Sequence, residues 1–184
     1  GGLSVRTIDL DLDNDMDFIV AAFDGDAILW YENNGSQSFT QRTVASSGIN
    51  APREIWPVDM DLDGDMDIIA GIYYDQDLVW FENNGSQSFT KRTVDGRLGG
   101  NANSVLAVDL DGDNDLDIVC GTYSSSVLFW FENDGSQSFT RYTIASGLTA
   151  SPVAIDLDED GDLDLVGRFN DGSERIVWWE NNGS

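Results

Sequence analysis

Along the chain, apolar residues fall into short runs cut by polar turns, and no stretch shows the 3.6-residue period of an amphipathic helix. One segment shows the pattern plainly. "SVLAVDL" (104–110) predicts a first strand, "DIVCGTY" (117–123) a second, "VLFWFEN" (127–133) a third and "SFTRYTIA" (138–145) a fourth. The second is apolar almost throughout at Ile118, Val119 and Cys120, as expected of a strand covered on both faces. Asn-Gly or Asp-Gly pairs at 34–35, 84–85, 134–135 and 182–183 predict hairpins, because such turns need residues that accept positive φ.

The same pattern recurs four times. Trp30, Trp80 and Trp130 are spaced by 50 residues, and Trp178 follows 48 later. The tails "WYENNGSQSFTQRTV", "WFENNGSQSFTKRTV" and "WFENDGSQSFTRYTI" are nearly identical, and the fourth, "WWENNGS", is shorter. The repeats cover 1–45, 46–95, 96–145 and 146–184 of one domain, 1–184. Four-stranded sheets at this period are the signature of propeller blades. The expected fold is therefore all-β, a β-propeller of four-stranded antiparallel blades, with four repeats per chain. The Trp of strand three, with Phe23, Tyr73, Tyr123 and Phe169 at the end of strand two, would supply the area on which blade packs against blade. Near-identity of the copies points to recent amplification or to deliberate consensus-style design, and the Gly1-Gly2 start to a trimmed, processed or engineered chain.

Charge changes this picture at four places. Stretches 9–17, 59–67, 109–117 and 156–164 hold 21 of the 34 Asp and Glu residues and no Lys or Arg. Removing them leaves 13 acids against 9 bases, so a near-neutral domain carries four concentrated anionic spots within a net charge of −25. Nucleic acid is a poor partner for such a surface, which lacks clustered cations. No apolar run approaches the length of about 20 residues that spans a membrane. In "DMDLDGDMD" (59–67), Asp59, Asp61, Asp63 and Asp67 occupy positions 1, 3, 5 and 9. Carboxylates on alternate residues, with the carbonyl of Asp65 at position 7, suit a hard cation that takes six to eight oxygens. Position 6 must bend sharply, and it is Asn14, Gly64, Asn114 and Gly161 in the four copies. Unneutralised, unit charges about 4 Å apart cost on the order of 1–4 kcal/mol per pair near a surface. That is heavy for a domain worth about 5–15 kcal/mol. The alternative is a set of solvated acidic turns that aid solubility. With no His and a single Cys, zinc is a poor fit and calcium the better one, magnesium preferring a rigid octahedron. Cys120 aligns with Val20, Ala70 and Gly167 and reads as a small buried filler.

"DLDGDMDIIAG" (61–71) and "DLDGDNDLDIVCG" (109–121) resemble the calcium loop of FG-GAP repeats, as in integrin alpha chains, and of the related VCBS-type repeats of bacterial surface proteins. The Phe-Gly segment itself is not evident, which makes the VCBS type the nearer likeness. The resemblance covers all four copies. It implies an extracellular or cell-surface propeller with about one calcium ion per repeat, held between strands one and two. Its side-chain ligands would be Asp9, Asp11, Asp13 and Asp17; Asp59, Asp61, Asp63 and Asp67; Asp109, Asp111, Asp113 and Asp117; and Asp156, Asp158, Asp160 and Asp164. Carbonyls would come from Asp15, Asp65, Asp115 and Asp162.

Family propellers commonly have about seven blades, whereas this chain has four repeats. Either the four close into a small ring, or two chains pair as halves of an eight-bladed ring, the homodimer being the slightly favoured arrangement. The absence of His removes histidine-based catalysis, and an enzyme is not expected. The expected function is a non-enzymatic calcium-binding scaffold or protein-interaction module, with a calcium-dependent lectin as the alternative. The connectors between repeats vary most and carry Arg53, Trp56 and Arg97, the candidate ligand-binding residues, with Trp56 a stacking surface for a glycan or an inter-blade filler. The Asn-Gly-Ser triplets at Asn34, Asn84 and Asn182 read as turns rather than glycan acceptors.

Overall fold

Each repeat folds into one antiparallel sheet whose strands follow chain order from the inner to the outer edge. In this computed structural model residues 2–147, 152–170 and 174–183 are described. Blade 1 comprises β1 (Gly2–Ile8), β2 (Asp17–Ala22), β3 (Ala27–Asn33) and β4 (Phe39–Ala45). Blade 2 comprises β5 (Pro52–Val58), β6 (Asp67–Ile72), β7 (Asp77–Asn83) and β8 (Phe89–Asp95). Blade 3 comprises β9 (Ala102–Val108), β10 (Asp117–Thr122), β11 (Val127–Asn133) and β12 (Phe139–Ser146). Blade 4 has three strands, β13 (Val153–Ile155), β14 (Asp164–Asn170) and β15 (Glu174–Trp179). The four strands expected of the third repeat are all present, with the first shifted two residues earlier because Asp109 already belongs to the acidic loop.

A single sheet has two faces and no core of its own, so it must bury both against neighbours. The hydrophobic clusters accordingly lie between blades. Ile19, Ile28 and Trp30 of blade 1 meet Ile55, Ile68 and Phe81 of blade 2. Ile69, Leu78 and Trp80 then meet Val105, Ile118 and Phe131, and Leu106, Val119 and Leu128 meet Leu165. In the two middle blades, strand two is buried at every residue, as its unbroken apolar sequence requires. In blade 1, whose leading face is not covered by another blade among the described residues, β2 alternates buried and half-buried positions. No closure of blade 4 onto blade 1 is observed among the described residues.

Two local features differ from expectation. In the first three blades the Asn-Gly and Asp-Gly segments are five-residue loops, one residue longer than the strand bounds expected for the third repeat allow. Asn33 pairs with Phe39, the Asn34 amide donates to the Ser38 carbonyl, and positive φ falls at Gly35 and Gln37. Asn34 is there as an acceptor: its Oδ1 takes the amides of Ser36 and Ser38, and Asp134 does the same in blade 3. A 3-10 turn, Phe23–Gly25, also joins β2 to β3. Of the aromatics at the end of strand two, Phe23 and Tyr73 pack edge-on with ring centroids 5.6 Å apart, Tyr123 is exposed, and the Phe169 side chain lies outside the described residues. Cys120 is fully buried, and burial pushes its thiol pKa up to about 12.

Candidate metal centres

The loop between strands one and two has the same architecture in every blade. The first aspartate folds back over the loop: Asp9 accepts the amides of Asp13 at 3.0 Å and Asn14 at 2.9 Å, and Asp59 those of Asp63 and Gly64. Asp109 and Asp156 repeat the pattern through the amides of Asn114 and Gly161. The fifth position takes the amide two residues on, as in Asp13 accepting from Asp15. These bonds close the loop so that carboxylates converge. Ligand atoms of Asp9, Asp11 and Asp13 lie within 4.8 Å of one another, as do those of Asp109, Asp111 and Asp113, of Asp156, Asp158 and Asp160, and of Asp59, Asp61 and Asp67.

Convergence leaves charge unanswered. Burial, and then repulsion from the neighbouring aspartates, raises the pKa of Asp11, Asp61 and Asp111 above the ordinary carboxylate value. One oxygen each of Asp11 and Asp61 is buried without a hydrogen-bond partner. A buried acceptor left unpaired is costly. An oxygen-seeking cation at the convergence point would satisfy these oxygens, so the donor set fits a hard metal ion.

The ninth position has a second task. Asp17 takes the Leu10 amide and the Trp30 indole N–H (2.8 Å) on one oxygen and the Asn33 amide (2.7 Å) on the other. It thus ties the loop to β3, as Asp67, Asp117 and Asp164 do through the amides of Asn83, Asn133 and Asn181. Burial pushes the carboxyl pKa of Asp67, and likewise that of Asp117, up to about 6.

The structure adds two features of the loops that the residue pattern did not reveal, at positions seven and four. The seventh-position side chains lean on the hairpin loop. A Cβ on Gly35 would sit 2.6 Å from Asp15 Oδ2, one on Gly85 2.5 Å from Asp65 Oδ2, and Gly135 and Gly183 face Asp115 and Asp162 in the same way. The fourth position is left-handed in every copy, with φ of 60° at Leu12 and Leu62, 77° at Gly112 and 64° at Glu159. Only Gly112 hinted at that conformation in the sequence.

Three overlapping stretches, 9–70, 59–120 and 109–167, match the FG-GAP-like repeat model, each running from one aspartate loop into the second strand of the next blade. The chain belongs to the FG-GAP-like repeat family. No curated protein sequence matches it. Among solved structures it resembles a lectin of Agrocybe aegerita described as recognising non-reducing terminal N-acetylglucosamine, with TM-score 0.63 and 19% identity over 95% of this chain and 52% of that one. The chain thus spans about half the length of that lectin. The likeness supports the propeller architecture of the FG-GAP blades.

The connector residues have separate surroundings. Arg53 lies with its guanidinium 5.0 Å over the Tyr73 ring, beside the exposed Tyr74. Trp56 packs into the clusters on either side of blade 3, under the Arg6 guanidinium at 5.7 Å. Arg97 engages by its backbone, its amide donating to Asp95 and its carbonyl accepting from Arg141. Elsewhere, on the outer rim, an open pocket recurs one repeat apart. Trp30, Glu32, Arg42 and Thr43 of blade 1 with Gln87 and Phe89 of blade 2 enclose about 540 Å³. Trp80, Glu82, Arg92 and Thr93 with Gln137 and Phe139 enclose about 470 Å³. Arg42 pairs with Glu32, and Arg92 with Glu82 at 2.6 Å. Among the described residues no helix is long and apolar enough to cross a membrane.

Proposed function

We propose that this chain is a non-enzymatic, calcium-binding propeller module that works as a scaffold for partner binding outside the cell. The observation that carries the metal reading is the convergent triad in each loop, with buried, unpartnered oxygens on Asp11 and Asp61. All candidate ligands are oxygens and the chain has no His, which favours calcium over softer metals. When bound, the ion supplies positive charge that reverses the repulsion within each loop. The aspartates at positions one and three would hold it, joined by position five in blades 1, 3 and 4 and by position nine in blade 2, while the ninth also ties the loop to the buried strand. The lack of His, the side chain most often used as a general base, supports the non-enzymatic reading.

Thermal unfolding with and without chelator tests this reading. At free calcium a hundredfold above Kd, each site adds about 2.7 kcal/mol to folding. A melting temperature unchanged by EDTA would overturn the metal reading.

The recurring rim pocket favours a saccharide as the ligand class. Its Glu–Arg pair, Thr hydroxyl and Gln amide offer donors and acceptors that match sugar hydroxyls, beside the partly buried Phe89 or Phe139. A propeller of similar fold that recognises N-acetylglucosamine makes that sugar the first to try. A glycan array read with wild type and Arg92→Ala decides: calcium-dependent binding that weakens in the variant supports the saccharide, and no binding on the array removes it. On this reading the first protein partner of the chain is a second copy of itself.

A further inference from the structure

The three blade-to-blade junctions seen within the chain give a template for a fourth. In each, one blade presents a trailing face to the leading face of the next, and the same repeat positions are used every time. Ile28, Leu78 and Leu128 stand at one trailing position and are all 0% exposed, covered by the following blade. Their counterpart in blade 4, Ile176, is 73% exposed. Trp30 and Trp80 are 3% exposed, whereas Trp178 at the same position is 43% exposed. Leu157, which matches the buried Leu10 and Met60, is exposed as well.

The leading side of blade 1 carries the complementary defect. Ile55 and Val105, at 0% and 4% exposed, are covered by the blade before them, while Val5 in the same place is 54% exposed. Met16 and Phe39 are likewise exposed, where Met66, Leu116, Phe89 and Phe139 are half-buried against their neighbours. The described arc therefore presents, on each of its two outer faces, one half of a junction whose other half lies on the opposite face.

We propose that these two faces dock on each other between two copies of the chain, blade 4 of each copy seating on blade 1 of the other. This deepens the module reading above by naming its partner. Two such junctions related by a two-fold axis close a ring of eight blades, within the usual range of propellers. The occupant is a second copy because the surface required opposite Ile176 and Trp178 is a leading face of this repeat, and the chain carries an uncovered one. One position differs from the internal junctions and has a matching change across the seam. At the strand-two site where Gly71 lies close to Ala102, a Cβ there being only 3.0 Å from that of Ala102, blade 4 has the large Arg168. The residue of blade 1 in register with Ala102 is Gly2, which makes room for it. Exposed apolar area of this extent is otherwise uncommon on a monomer.

Analytical ultracentrifugation of the calcium-loaded chain reads the outcome directly. The expected species is twice the 20.2 kDa chain. Ile176→Asp and Val5→Asp should each shift it to the monomer with an unchanged far-UV spectrum and an unchanged response to EDTA, since both side chains are exposed within one copy. Mixing the two variants should restore a mixed dimer, because one junction between them is wild type on both sides. A folded, calcium-responsive monomer for the wild type overturns the pairing while leaving the metal reading intact. Open-ended polymers overturn the two-copy ring, because they mean that the junction forms without closing.

Discussion

Replacing Gly85 by alanine separates two reasons for a glycine that the sequence merges into one. Gly85 has φ of 72°, and its missing Cβ would lie 2.5 Å from Asp65 Oδ2, so the substitution meets both backbone strain and a carboxylate. Gly64, at φ 96°, has nothing within 4 Å of its Cβ and meets strain alone. Left-handed backbone costs an alanine about 1–2 kcal/mol. Moving the Asp65 carboxylate off its preferred rotamer adds about 0.5–1.5 kcal/mol. Gly64→Ala should therefore lose about 1–2 kcal/mol, and Gly85→Ala about 1.5–3.5 kcal/mol. Urea unfolding in excess calcium measures both, and repeating Gly85→Ala in an Asp65→Ala background completes a double-mutant cycle. The extra cost should vanish in that background. Equal losses at Gly64 and Gly85, or an excess that survives removal of Asp65, would refute the close packing of acidic loop on hairpin loop.

The remaining expectations concern charge, strain and the thiol. In chelator, protonation of Asp67 and Asp117 favours the folded state, because their folded pKa of about 6 lies above the unfolded value near 3.8. That contribution is full below pH 3.8 and lost as pH rises through 6, on the order of 2–3 kcal/mol for each group. Metal-free protein should thus melt lower at pH 7 than at pH 5, and Asp67→Asn should flatten the difference. Leu62→Gly removes a left-handed leucine that is already exposed, and should raise stability in chelator by up to about 1 kcal/mol, read from the urea midpoint. Cys120 should resist a thiol reagent at pH 8 until the chain unfolds; rapid labelling of the native protein would contradict its burial.

Much of the architecture was legible along the chain because a propeller repeats a local unit. Trp spacing, the buried second strand and the aspartates on alternate positions all express short-range rules, so the blades sit where the pattern placed them and three aspartates of each acidic loop converge. The hairpins were legible as turns but not as loops, because Asn34 acts through a side-chain acceptor five residues deep rather than through its own φ. Leu12 and Leu62 gave no sign of their left-handed backbone, since the surrounding hydrogen bonds impose it against their preference.

Identical letters in different copies have unlike surroundings, and that no repeat can encode. Trp30 and Trp178 belong to the same motif, yet one is buried and the other open, because burial of a blade face depends on which sheet stands next to it. Arg53, Trp56 and Arg97 share the variable connectors, but packing sends Trp56 between blades and leaves Arg53 stacked on Tyr73. By itself, then, the sequence determined the blade and its acidic loop, through periodicity and charge that act within about fifty residues. The tertiary structure decided which faces are covered and what the position-seven aspartates touch, since both depend on contacts between segments that chain order does not specify.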